Sequence, residues 1–261
     1  MAFAYFLGCF VGDGFTYKNG NSYNIYISIG KNEQQFADNY DKLIEALFNK
    51  KCVHKNKSNE QTRCFTDKRL FLWLNKNFGK HAYSKHIPQW LMYAPAEIKR
   101  QFLQGYLDTD GSVLLDRGKI RINYTSTNLE LLEQVQDILF SLKIPCSIVL
   151  HDSPKDIIIN GRSVHCKQSF RINISASGIN DLMREGGWMF YENRKYKKWF
   201  DNQSKKQIKP PKDIKFVGDK IELGIDSIRQ GQYSGWVYNF ECRTHTFMCR
   251  NIVTHNCDPY A

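Results

Sequence analysis

Two nine-residue stretches constrain this chain more than anything else in it: FLGCFVGDG, Phe6–Gly14, and LQGYLDTDG, Leu103–Gly111. Each is an apolar run with a glycine near its centre (Gly8, Gly105) and an Asp-Gly end, and the terminal acids Asp13 and Asp110 stand 97 positions apart. The apolar run predicts a buried helix, and the Asp-Gly predicts the turn that stops it. Glycine inside a helix costs about 1 kcal/mol relative to alanine. That cost makes sense where two helix backbones pack unusually closely, which would set Asp13 and Asp110 side by side. A carboxylate at a helix C-terminus is electrostatically disfavoured, and a second one nearby adds repulsion. A bound cation would relieve both. One Asp-Gly turn alone would be an ordinary helix stop; its recurrence at a fixed offset points to two pseudo-symmetric halves.

The neighbouring segments repeat as well. Asn24–Gly30 (NIYISIG) alternates as a strand does, and so does Lys119–Ser126 (KIRINYTS). Asn32-Glu33 opens an amphipathic helix with Phe36, Tyr40, Leu43, Ile44 and Leu47 on one face. Asn128 opens its counterpart, with Leu129, Leu132, Val135, Ile138 and Leu139. A Lys/Asn-rich hairpin is expected over Lys50–Asp67 and a short helix over Arg69–Phe78. Pro88 and Pro95 punctuate two short helices ahead of the second motif. Strands around 147–151 and 169–176 and a helix near 179–184 complete the second half. Asn193–Lys212, basic, polar and ending in a double proline, reads as a linker. From Asp213 to Val253 the chain is rich in β-branched and aromatic residues with glycine turns, which predicts a small all-β segment.

Composition narrows the partners. Of 261 residues, 37 are Lys or Arg and 26 Asp or Glu, a formal charge of +11 that favours a polyanion such as nucleic acid. The eight cysteines form no C-x-x-C pair, so reduced thiols in a cytoplasmic, intracellular setting are expected. Cys242, His245 and Cys249 are grouped without the spacing of a zinc site. No apolar run approaches the roughly 18 residues that a membrane helix needs, so no membrane partner is expected.

The two motifs, with the Lys-containing block KHIPQWL before the second, resemble the LAGLIDADG homing endonucleases over roughly Phe3–Lys198. The resemblance implies an α+β fold: a duplicated αββαββα domain, two sheets forming a saddle over double-stranded DNA, and Mg²⁺ held at the base of the motif helices. Residue by residue, the family's metal-binding acids fall on Asp13 and Asp110, and its catalytic or phosphate-contacting lysine on Lys85. Its second-half lysine falls on either Lys195 or Lys197. Asp108 matches the family's earlier acid, where the first motif has Val11. DNA would be read by outward strand residues: Tyr26, Ser28, Lys119, Arg121, Asn123, Arg171 and Asn173.

A second resemblance covers Ser234–Cys257. VYNFE, THTF and NIVTHNC are similar to the C-terminal splicing blocks of inteins, a partial Hint-type domain. The resemblance implies that Asn256 cyclises and cleaves the following peptide bond, assisted by His245 and His255, and that Cys257 is the acceptor nucleophile of the following extein. The chemistry suits the residues: an amide held in attack geometry, a neighbouring proton-transfer group and a thiol. Asn239 stands where many inteins carry an assisting Asp. The block of an intein's N-terminal half is not found, so the chain is expected to be the C-terminal fragment of a split intein. Its domains would be an endonuclease over 1–200, a linker over 201–212, a splicing segment over 213–256 and an extein stub over 257–261. A complementary N-terminal fragment and host exteins would be its partners. The alternative expectation is an endonuclease that has lost catalysis and persists as a DNA-binding module beside an active splicing segment.

Overall fold

A computed structural model describes residues 1–56, 60–116, 119–159, 161–184, 194–203, 214–218, 220–223, 227–232, 234–236, 246–249 and 252–255. The chain divides into two compact units, Met1–Lys209 and Pro210–Ala261.

The first unit is built around a central helix pair. Helix α1 spans Ala2–Asp13, with Tyr5, Phe6, Leu7, Cys9, Phe10 and Val11 all buried. Its sequence equivalent, α5, spans Ala96–Asp108 and buries Phe102, Leu103, Tyr106 and Leu107. The glycines explain the closeness of the pair. A Cβ on Gly8 would overlap the carbonyl oxygen of Phe102, and one on Gly105 would overlap that of Tyr5. Nothing larger than hydrogen fits at either crossing point.

Around this pair the chain runs through the same sequence of elements twice. In the first half α1 is followed by β1 (Gly14–Asn19), β2 (Ser22–Gly30), α2 (Gln34–Phe48), β3 (Val53–Asn56), β4 (Glu60–Thr66) and α3 (Lys68–Phe78). A short helix, α4 (Gln89–Met92), leads into α5. The second half continues with β5 (Gly111–Asp116), β6 (Lys119–Ser126), α6 (Leu129–Ser141) and β7 (Cys146–Asp152). A hairpin follows, β8 (Lys155–Ile159) and β9 (Arg162–Cys166), then β10 (Ser169–Ile174), α7 (Ala176–Arg184) and α8 (Arg194–Gln203). The sheets have the orders β1-β2-β4-β3 and β5-β6-β10-β7, all pairs antiparallel. This is an α+β fold of two αββαββα halves. Ile25, Ile27 and Ile29 of β2 and Ile120 and Ile122 of β6 turn into a core that includes the helix pair, leaving the other face of each sheet outward.

Sequence and structure differ at several points, each for a physical reason. The stretch between Asp13 and the strand expected from Asn24 forms a further strand, β1, whose hairpin turn places Gly20 at φ +54°. On α6, Leu131 is buried where the sequence periodicity favoured Leu129, which is 37% exposed. Leu129 opens the first turn, and the Asn128 side chain caps that turn by accepting from the Leu131 amide at 3.1 Å. The basic stretch expected to be linker contains helix α8. Trp199 on it is buried and donates its indole N–H to Asn180 Oδ1 at 3.1 Å. A single large apolar anchor outweighs the basic composition of the other positions.

In the second unit the described strands form two antiparallel hairpins, β11 (Ile214–Val217) with β12 (Lys220–Leu223) and β13 (Thr246–Cys249) with β14 (Ile252–His255). No helix among the described residues is long and apolar enough to cross a membrane.

Candidate active site at the paired helix ends

The close crossing of α1 and α5 brings the two Asp-Gly ends together. A Cβ on Gly12 would overlap the Thr109 side chain and lie 3.2 Å from the Asp110 amide nitrogen. Asp13 is half-buried, while Asp110 reaches solvent on one side. Desolvation first, and the neighbouring Asp110 charge second, raise the Asp13 carboxyl to about 7 against the pull of Lys85 and Lys195. Asp110 is likewise raised, by desolvation first, with the same two lysines opposing. Each acid therefore feels the other half's groups: the site is one electrostatic unit.

Each helix end is closed by a lysine from elsewhere in the chain. Lys85 Nζ donates to the carbonyls of Phe10 at 3.0 Å, Val11 at 2.7 Å and Gly12 at 2.7 Å. Lys195 Nζ donates to those of Leu107 at 2.7 Å, Asp108 at 2.8 Å, Thr109 at 3.1 Å and Gly111 at 2.8 Å. Carbonyls at a helix C-terminus have no partners in the helix and carry the negative end of its dipole, so an ammonium there satisfies both. Burial lowers the Lys85 pKa to about 8, although Asp110 and Asp13 favour the charged form. Of the two lysines left open in the sequence, Lys195 reaches the end of α5 as Lys85 reaches that of α1, while Lys197 is exposed on α8. Spacing could not have found it: Lys85 follows Asp13 by 72 positions and Lys195 follows Asp110 by 85. The β8–β9 hairpin lies within the longer interval.

The two halves differ at one buried position. Asp108, in place of Val11, accepts a hydrogen bond from the Tyr5 hydroxyl, and its other oxygen has no partner among the described residues. Burial pushes its carboxyl up to about 7.

The donor set fits a hard divalent cation. Asp13 and Asp110 contribute carboxylate oxygens that accept no hydrogen bond among the described residues, while the lysines are engaged by carbonyls. Oxygen ligands of this kind suit Mg²⁺, Mn²⁺ or Ca²⁺. No group of three or more His, Cys, Asp or Glu residues that could hold a metal occurs among the described residues, so solvent or substrate oxygens would complete the coordination.

The outward strand residues lie on the two sheets. Tyr26 and Ser28 are on β2, and Ser28 donates to Glu60 at 2.9 Å. Lys119, Arg121 and Asn123 are on β6, where Arg121 pairs with Asp116 at 2.9 Å and Asn123 is buried. Arg171 and Asn173 are on β10, with Arg171 2.6 Å from His151. His245, Asn256 and Cys257 lie outside the described residues, and so does Asn239. His255 ends β14, paired with Thr246.

Comparison with known proteins places this fold. Residues 97–165 match the family model of the LAGLIDADG-like domain. A structure of mesophilic variants of the homing endonuclease I-DmoI superposes with a TM-score of 0.51, at 20% identity, over 70% of this chain and 87% of that one. An I-DmoI variant with its nicked target DNA and Mn gives a TM-score of 0.50, at 16% identity, over 80% and 97%. The fold of the first unit is that of the LAGLIDADG homing endonucleases.

Among curated proteins, a DNA polymerase of Thermococcus litoralis is 24% identical over 97% of this chain and 14% of its own length. The ATP-dependent DNA helicase Hel308 of Thermococcus kodakarensis is 26% identical over 96% of this chain and 21% of its own length. The chain thus spans between a seventh and a fifth of these relatives.

Proposed function

We propose that the first unit is a divalent-metal-dependent endonuclease that makes site-specific double-strand cuts in DNA, and that the chain is the C-terminal fragment of an intein acting in trans. The observation that carries the nuclease reading is the pair of carboxylates held at two lysine-closed helix ends, both raised by desolvation and Asp13 also by the Asp110 charge. Asp13 and Asp110 would hold Mg²⁺, which supplies charge neutralisation on the phosphate and activation of water. The protein's own part is to fix the two carboxylates at one point, to hold both helix ends rigid through Lys85 and Lys195, and to present two outward sheet faces to the duplex. With every Nζ hydrogen of Lys85 engaged by carbonyls, that residue positions the Asp13 turn rather than touching phosphate. The net charge of +11 supports a DNA partner.

The intein reading is supported by where the relatives match. One chain aligns almost end to end with small parts of two different enzymes, a polymerase and a helicase. A segment shared by otherwise distinct hosts is what an inserted element looks like. The β13–β14 hairpin adds a local argument: its rung Thr246–His255 is followed directly in sequence by Asn256 on one strand and preceded by His245 on the other. On this reading Asn256 cyclises, Cys257 accepts the extein, and a separate N-terminal fragment completes a Hint-type β domain.

Mixing the chain with a candidate N-terminal fragment tests the splicing part. A ligated product by mass spectrometry is expected, and Asn256→Ala should block release of the residues that follow it. Release unchanged in that variant would sink the assignment. The alternative, a nuclease reduced to DNA binding, predicts equal and metal-independent DNA retention by wild type and Asp13→Asn, with no cutting by either.

A further inference from the structure

The repeat allows the two outward sheet faces to be compared rung by rung. In the first sheet one rung runs Phe15–Tyr26–Cys64–Val53 across all four strands. At the equivalent place in the second sheet the rung runs Ser112–Asn123–Asn173–Ser147, also across four strands. Each begins two residues after its acid, Asp13 or Asp110. One rung is mostly apolar, with the Tyr26 hydroxyl its one oxygen, and the other consists only of hydroxyls and amides. The core does not require this difference, because the isoleucines of β2 and β6 occupy the opposite face in both sheets.

The apolar rung is open to solvent at its ends. Phe15 is 39% exposed and Val53 60%. The Phe15 and Tyr26 rings stack at 4.8 Å with 4° between their planes, and Lys55 Nζ lies 5.5 Å from the Tyr26 centroid. Arg121 and Arg171 stand two positions from the amide rung on its own sheet. Cations therefore stand beside both rungs, and the rungs themselves differ in what they offer a base edge. In the major groove the C5-methyl of thymine is the apolar feature, whereas adenine N6 and N7 match a side-chain amide.

We propose that the two rungs read A·T pairs at mirror-related positions of one DNA site by different chemistry: Phe15, Tyr26 and Val53 take the thymine methyl, and Asn173 with Ser112 and Ser147 takes the adenine edge, while Cys64 and Asn123 lie buried between them. The inference rests on the DNA-cleaving reading of the first unit. It makes the central specificity of the two halves chemically unequal although their backbones are equivalent.

Base analogues test this. A random pool of duplex DNA is selected for binding to the full chain, and the preferred duplex is resynthesised with single replacements. Deoxyuridine for thymine removes only the methyl; 7-deazaadenine removes only the N7 acceptor. Deoxyuridine is expected to weaken binding about fourfold on the first sheet's side, the effect of one buried methyl, and not on the second. Deazaadenine is expected to weaken binding at least fivefold on the second side, and not on the first. The double substitution Phe15→Ser with Tyr26→Asn, checked for an unchanged melting temperature, should abolish the deoxyuridine effect. Equal analogue effects on both sides, or none, or G·C pairs at both positions, would overturn the inference while leaving DNA cleavage intact. Failure of the pool to yield any preferred duplex would overturn the nuclease reading and this inference together.

Discussion

Lys85 uses its three ammonium hydrogens to close the end of α1, so its removal should be felt first in stability. Lys85→Met leaves three carbonyls without their charged partner at a helix end where water has little access. A loss of about 3 kcal/mol is expected, read as a lowered melting temperature. Lys85→Arg should not rescue it, because a planar guanidinium cannot point at three carbonyls converging on one nitrogen. Asp13 acts in the opposite sense. Its carboxyl sits near 7 in the fold against an ordinary value of 3.8. The fold favours the neutral form, so this contribution is fully present below about pH 4 and is lost as the pH rises through about 7. Asp13→Asn should therefore melt higher than wild type at about pH 8 and no higher near pH 4. Mg²⁺ should raise the wild-type melting temperature more at the higher pH, and should do little for the variant.

At the scale of elements, the crossing of α1 and α5 is the tightest constraint in the fold. Alanine at Gly8 or Gly105 gains about 1 kcal/mol of helix propensity but drives a Cβ into a backbone carbonyl of the facing helix. Backbone cannot step aside as a side chain can. Each substitution should cost a net of about 2 kcal/mol or more by denaturant titration. This part of the fold was legible in the sequence for the same reason: glycine inside a helix is unfavourable unless a neighbour needs the space. The strands β2 and β6 and the capping Asn128 were legible through alternation and cap chemistry. Helix α8 was not. RKYKKWFDNQ is so basic that composition points to linker, and only Tyr196 and Trp199 carry the packing. Lys195 was hidden with it, since the hairpin inserted in the second half breaks the repeat's spacing. Trp199→Ala should destabilise the first unit by about 3 kcal/mol or more if α8 is integral to it. A negligible change in melting would make α8 an appendage.

At the scale of the whole molecule, the two chemistries proposed for the two units need not depend on one another. A fragment ending at Lys209, where the first unit ends, should melt cooperatively and bind DNA with an affinity that falls steeply with salt. In the full chain Asn256→Ala should leave DNA cutting unchanged, and Asp13→Asn should leave splicing unchanged. Coupling in either direction would mean that one unit completes the other.

On the proposed reading, two pseudo-symmetric helix ends form one metal-dependent centre. Cleavage of the selected duplex, measured with Mg²⁺ for wild type, Asp13→Asn, Asp110→Asn and the double variant, tests it most directly. Double-strand cutting by wild type alone is expected. It should be abolished by chelation, and all four proteins should retain the duplex equally. Cutting that persists in the double variant, or without a divalent cation, would mean that the paired helix ends are not the metal-dependent centre.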